Sequence, residues 1–98
     1  MASRTITDSA SEILSENRLR KSFIIQNEDG SIACFVKFEK PNGLTVSTTD
    51  HDHRIGAGAV LSVNSLLDGK DQIGSRITII AASGTPLISF FETEEERR

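Results

Sequence analysis

The stretch Ser22-Phe23-Ile24-Ile25-Gln26-Asn27, followed by Glu28-Asp29-Gly30-Ser31 and then by Ile32-Ala33-Cys34-Phe35-Val36-Lys37-Phe38-Glu39, decides the fold. Two runs rich in β-branched and aromatic residues flank a turn signal, the signature of antiparallel strands rather than of a helix. Asp-Gly predicts a hairpin, because glycine accepts the positive φ that tight turns require. In the second run, period-two alternation puts Ile32, Cys34, Val36 and Phe38 on one face and Lys37 and Glu39 on the other. The first face is assigned to the core.

The pattern continues in both directions. Downstream, Pro41-Asn42-Gly43 predicts a second turn and Leu44-Thr45-Val46-Ser47-Thr48 a short strand with an exposed side, suited to a sheet edge. Thr49 to Arg54 is polar and reads as a loop that leads, through Ile55-Gly56-Ala57-Gly58, into a strand from Ala59 to Asn64. Asp68-Gly69-Lys70-Asp71 reads as a further loop, and Ser75 to Ala82 as the most buried strand. Ser83-Gly84-Thr85-Pro86 turns the chain into Leu87-Ile88-Ser89-Phe90-Phe91-Glu92, apolar on both sides and therefore expected to be central or covered. The tail from Thr93 to Arg98 is charged and expected to fray.

Upstream, two readings compete. Ser9-Ala10-Ser11-Glu12 has the spacing of a helix capping box ahead of Ile13 and Leu14. Thr5-Ile6-Thr7 favours a strand, and Ile6, Ile13, Leu14 and Leu19 complete no helical stripe, so strand is preferred. The fold expected is all-β: a single antiparallel β-sandwich over residues 1–98, of jelly-roll or immunoglobulin-like type, with about six to eight short strands.

Composition bounds the function. The chain has 98 residues, enough for one core, and its five Phe with neither Trp nor Tyr leave that core to Ile, Leu, Val and Phe. Eleven basic against fourteen acidic residues give a net charge of −3, which argues against a nucleic-acid partner held through phosphates. The single cysteine, Cys34, can form neither an internal disulfide nor a CxxC pair. No run is long enough to span a bilayer and the start lacks the apolar stretch of a signal peptide, so synthesis and folding in a cytoplasm, with no membrane partner, are expected.

The sharpest candidate for chemistry is Asp50-His51-Asp52-His53. On a strand, His51 and His53 would point the same way and could share a metal, yet two histidines fall short of the three or four ligands that a zinc site needs. They are weak metal candidates, and a solvated loop is the preferred reading. Cys34, on the core face, reads as packing. Ser9, Ser11, Ser15, Ser22 and Ser47 lack a G-x-S-x-G context, and the glycines form no phosphate cradle. No catalytic residue and no cofactor are therefore assigned. Arg18, Arg20 and Lys21 form a basic cluster and Glu92 to Glu96 an acidic one, read as solvated ends or as docking charges for neighbouring subunits.

The order of motifs resembles a group of small β domains found among the accessory virion proteins of tailed bacteriophages. The resemblance runs through Thr5-Ile6-Thr7, then Ile13 to Asn27 with its Arg20-Lys21-Ser22 and Gln26-Asn27, then Val36-Lys37-Phe38, Ile55-Gly56-Ala57-Gly58, Ile77 to Thr85 with its Ala81-Ala82-Ser83-Gly84-Thr85, and Leu87-Ile88-Ser89. Glu39, where many such proteins carry glycine, and Asp50-His51-Asp52-His53 depart from it. The resemblance implies a β-sandwich without an active site. It implies a capsid decoration or cement protein, or a head-fibre-like one, that binds the major capsid protein or neighbouring virion subunits, with a homo-oligomer expected. A tail or fibre-associated module that binds the host surface, through Thr49 to Arg54, or other tail proteins is the alternative.

Overall fold

The computed structural model describes residues 2–40, 42–64 and 74–94. Among these residues there are eight strands and no helix: β1 Ala2–Thr5, β2 Ser11–Leu14, β3 Arg20–Asn27, β4 Cys34–Glu39, β5 His53–Ile55, β6 Val60–Asn64, β7 Arg76–Ala81 and β8 Leu87–Glu94. They form two four-stranded antiparallel sheets, ordered β1-β8-β3-β6 and β2-β7-β4-β5. The pairings are nested: β1 with β8, β2 with β7, β3 with β6 and β4 with β5. One long antiparallel ribbon has thus folded over on itself, and every connection except β4 to β5 crosses between sheets. That topology is a jelly roll.

The core lies between the sheets. Phe23, Ile25, Val63 and Ile88 from the first sheet meet Ile13, Leu14, Cys34, Val36, Ile55, Ile77, Ile79 and Ala81 from the second. Phe23 packs edge-on against Phe38, with centroids 6.0 Å apart. Each such apolar side chain contributes about 1.5–3 kcal/mol on burial, which is why alternation fixes which face of each strand turns inward.

Several sequence expectations change. The N-terminal segment holds two strands and no helix. A register shift between Glu12 and Leu14 makes a bulge in β2, so the consecutive Ile13 and Leu14 are both buried and the period-two pattern is locally lost. Asp29-Gly30 does not close a hairpin: β3 and β4 lie in different sheets. Instead, Asp29 Oδ1 accepts the Ser31 and Ile32 amides, turning the chain from one sheet to the other. These backbone hydrogen bonds hold the Asp29 carboxyl below the usual range.

Leu44 to Thr48 is not a strand; it runs irregularly over the outer face of β4 with Val46 buried. The sheet edge is β5, so His53 to Ile55 belong to a strand and not to a loop. Thr93 and Glu94 continue β8, which lies between β1 and β3 as expected of a central strand. Its outer face nevertheless exposes Leu87 and Phe91. At the turn before it, Gly84 has φ +63° and a Cβ there would sit 2.8 Å from Ile32 Cδ1, so the turn requires glycine. The loop expected at Asp68 to Asp71 and the last tail residues lie outside the described residues.

Strand β3 carries a buried polar side chain at each end. At one end, the Arg20 guanidinium donates from Nε to Glu92 Oε2 (2.6 Å), from Nη1 to the Ser75 carbonyl (2.8 Å) and from Nη2 to the Ser15 carbonyl (2.5 Å). At the other, Asn27 Nδ2 faces the carbonyls of Ile32, Ile55 and Gly56, while Oδ1 accepts the Asp29 amide. Both reach from the first sheet to segments of the second. The basic and acidic clusters read as ends facing solvent or partners thus meet, in part, inside the chain.

Candidate interaction surface

The histidines do not come together. Residues 35 and 38 have opposite parity on β4, and His51 packs on Phe35 (centroids 4.5 Å) whereas His53 packs edge-on against Phe38 (5.6 Å). The two imidazoles therefore occupy opposite faces of β4, with no shared metal position. Among the described residues, no three His, Cys, Asp or Glu side chains are grouped to hold an ion. His51 Nδ1 lies 3.2 Å from the Ser47 carbonyl, so it donates to backbone and not to the serine hydroxyl. Cys34 is fully buried, and burial, with the charge of Asp29, pushes its thiol up to about 11.

The segment from Asn42 to Asp52 is stapled to β4. Lys37 Nζ donates to Asp50 Oδ2 and to Thr45 Oγ1, both at 2.7 Å, and the Asp50 contact holds the ammonium above its ordinary range. Asp52 Oδ2 accepts the Phe38 amide. Glu39, expected to face water, is buried beneath this segment and accepts the Thr45 amide and hydroxyl and the Thr78 hydroxyl. A cleft of about 280 Å³ lies here, lined by Lys37, Phe38, Glu39, Lys40, Gly43 and Thr45. Lys37, Glu39 and Thr45 already satisfy one another and their neighbours, so the cleft is the seam of the staple.

Burial raises the Glu39 pKa, but the hydrogen bonds from Thr45 and Thr78 and the charge of Lys37 outweigh it and leave the carboxyl below 4.5. A carboxyl depressed in the folded state adds stability that is full above its unfolded pKa and is lost as pH falls through the folded one. Thermal melts from pH 7 to pH 3 should therefore lose stability below about pH 4.5. Glu39→Gln should begin about 1 kcal/mol lower at pH 7 and show a shallower acid decline.

The outer faces of the two sheets differ. On the first sheet, alternation from the buried Phe23, Ile25, Val63 and Ile88 assigns the outward positions to Ser3 and Thr5, to Leu87, Ser89, Phe91 and Thr93, to Ser22, Ile24 and Gln26, and to Val60, Ser62 and Asn64. None is charged, in a chain where 26% of residues are. Lys21 and Glu28 flank this face at the ends of β3, and Glu28 Oε2 accepts the Ser89 hydroxyl. Cross-strand neighbours Ile24 and Phe91 form its centre. Three of the four exposed large apolar residues among those described, Val60 (53%), Leu87 (44%) and Phe91 (45%), lie on it.

No family model, no curated protein and no solved structure matches the chain.

The second sheet presents Arg54, Lys37, Glu39, Arg76 and Glu12 outward, with Arg76 Nε 2.7 Å from Glu12 Oε2. Its β4 region is covered by the Asn42 to Asp52 segment, whereas no described segment lies over the first sheet. A sheet face whose outward positions are all uncharged and whose centre is aromatic and apolar shares the charge depletion and aromatic content of an interface core, while its serines give it a polar surround. Sequence reasoning missed it because its members come from four strands far apart in the chain. The signal was present as the uncharged alternates Ser22, Ile24 and Gln26, interleaved with the inward Phe23 and Ile25.

Proposed function

We propose that the chain is a non-enzymatic structural protein of a tailed-bacteriophage virion, a decoration or cement protein that binds the major capsid lattice and stabilises the head. The observation that carries this reading is the unlikeness of the two outer faces. A domain surrounded by water gains nothing from a charge-free face, whereas one packed between neighbours needs both an apolar contact and a charged one that sets orientation. The motif resemblance from Thr5 to Ser89 supports the virion assignment. A lattice of identical sites lets a small domain hold on through modest contacts made many times.

Purified particles test the proposal. The chain is expected in high, lattice-like copy number, and particles lacking it should lose their contents at lower temperature. Recovery of only a few copies per particle would instead place the chain at a neck or tail position. The host-surface reading finds less support, because Asp50, His51 and Asp52 in its loop are engaged with β4.

A further inference from the structure

We infer that the uncharged face of the β1-β8-β3-β6 sheet binds the same face of a second copy of this chain, forming a twofold dimer centred on Phe91 and Ile24.

Self-complementarity favours a second copy over other occupants. Under a twofold axis each group meets a group of the same set. A charged face would then set donor-only ammoniums or acceptor-only carboxylates against their own kind. Serine, threonine, asparagine and glutamine each carry both donors and acceptors, so Ser3, Thr5, Ser22, Gln26, Ser62 and Thr93 can meet their own equivalents without such conflict. Phe91, Ile24, Leu87 and Val60 supply apolar contact in the middle. The net charge of −3 repels two copies at most approaches, and this face adds least to that repulsion.

The size fits a weak dimer. Four strands about 4.8 Å apart, rising about 3.4 Å per residue over the four, eight, eight and five residues of β1, β8, β3 and β6, give a face of about 400 Å². Two such faces remove about 800 Å² in total, below the roughly 1,000 Å² of a stable interface and in the range of a weak, transient pair. Sheets stack face to face about 10 Å apart, the packing already used inside each copy. The inference goes beyond the virion reading and is tested on the purified chain without particles, so either can fail while the other stands.

Sedimentation velocity of the full chain from about 10 μM to about 1 mM should show a monomer–dimer equilibrium, since a weak pair has a Kd within that range. Phe91→Glu, Phe91→Lys and, from the neighbouring part of the face, Val60→Glu should each weaken dimerisation at least tenfold, with circular dichroism unchanged and the melting of the dilute monomer lowered only modestly, because these side chains are about half exposed. An equimolar mixture of Phe91→Glu and Phe91→Lys should restore the dimer, and Leu44→Glu, off this face, should dimerise as the wild type does. Raising salt from about 50 to about 500 mM should leave the dimer as tight or tighter, because no attractive ion pair is screened. A wild type still monomeric at the highest concentration, a Phe91→Glu protein as dimeric as the wild type, or an opposite-charge mixture that stays monomeric would overturn the inference.

Discussion

Arg20→Met is expected to lower stability by about 3 kcal/mol at pH 7, measured by urea denaturation, without changing the m-value. The guanidinium side chain is fully buried, and Glu92 on β8, Ser75 at the entrance to β7 and Ser15 just past β2 bind it from three different places. Methionine fills much of the volume but leaves two carbonyls and a carboxylate without their donor. Breaking a buried pair from one side costs about 3–5 kcal/mol. The lower figure applies because the Glu92 side chain is one-third exposed and can be rehydrated. In a domain of this size each kcal/mol moves the midpoint by roughly 4–8 °C, so the melt should fall by roughly 12–24 °C.

Two companion variants separate charge from geometry. Arg20→Lys keeps the charge but presents a compact ammonium in place of a planar fork, so it should satisfy fewer of the three partners and fall between wild type and methionine. Glu92→Gln removes the charge and leaves an amide oxygen able to accept from Nε, and should cost about 1 kcal/mol. If Arg20→Met melted like the wild type, the guanidinium would not be closing that end of the sandwich.

The fold was legible because burial obeys alternation. Phe23 and Ile25, Cys34 and Val36, and Ile77 and Ile79 all point inward as their spacing requires, and the turn signals divide the chain close to the observed strand ends. What local patterns do not encode is which sheet the next strand joins. Asp29-Gly30 marks a reversal equally well for a hairpin and for a crossing between sheets, and only the nested pairing decides between them. The same limit hid the site. Arg20 resembles a surface cation until Glu92, 72 residues away, is known to lie beside it. Glu39 resembles a solvent-facing alternate until Thr45 folds over it. The uncharged face needs the register of four strands before its members become neighbours. His51 and His53 show the converse: i and i+2 share a face only on a regular strand, and β5 begins at His53.

Asn27→Asp should be the more severe of the two largest changes at neutral pH and should reverse the pH dependence of stability. In the wild type, Nδ2 lies 2.6 Å from the Ile32 carbonyl, 3.3 Å from that of Ile55 and 3.2 Å from that of Gly56, in a fully buried position. An aspartate puts an acceptor where those three acceptors converge. Burial and carbonyl repulsion both disfavour its ionised form, so its folded-state pKa is raised well above the ordinary value near 3.9. A raised carboxyl pKa means that the folded state binds more protons than the unfolded one between the two pKa values, so stability falls as pH rises through that window. The penalty grows by about 1.4 kcal/mol per pH unit until the folded-state pKa is passed. Below pH 4 the protonated acid can donate to one carbonyl, and the difference from wild type should shrink to a few kcal/mol. Asn27→Ala, which leaves the carbonyls unpaired but adds no charge, should cost about 1–3 kcal/mol at every pH. Denaturation of the three proteins at pH 4 and pH 7 distinguishes the cases. A difference between Asn27→Asp and wild type that does not grow with pH would mean that water reaches position 27, and that this end of β3 is not closed by the asparagine.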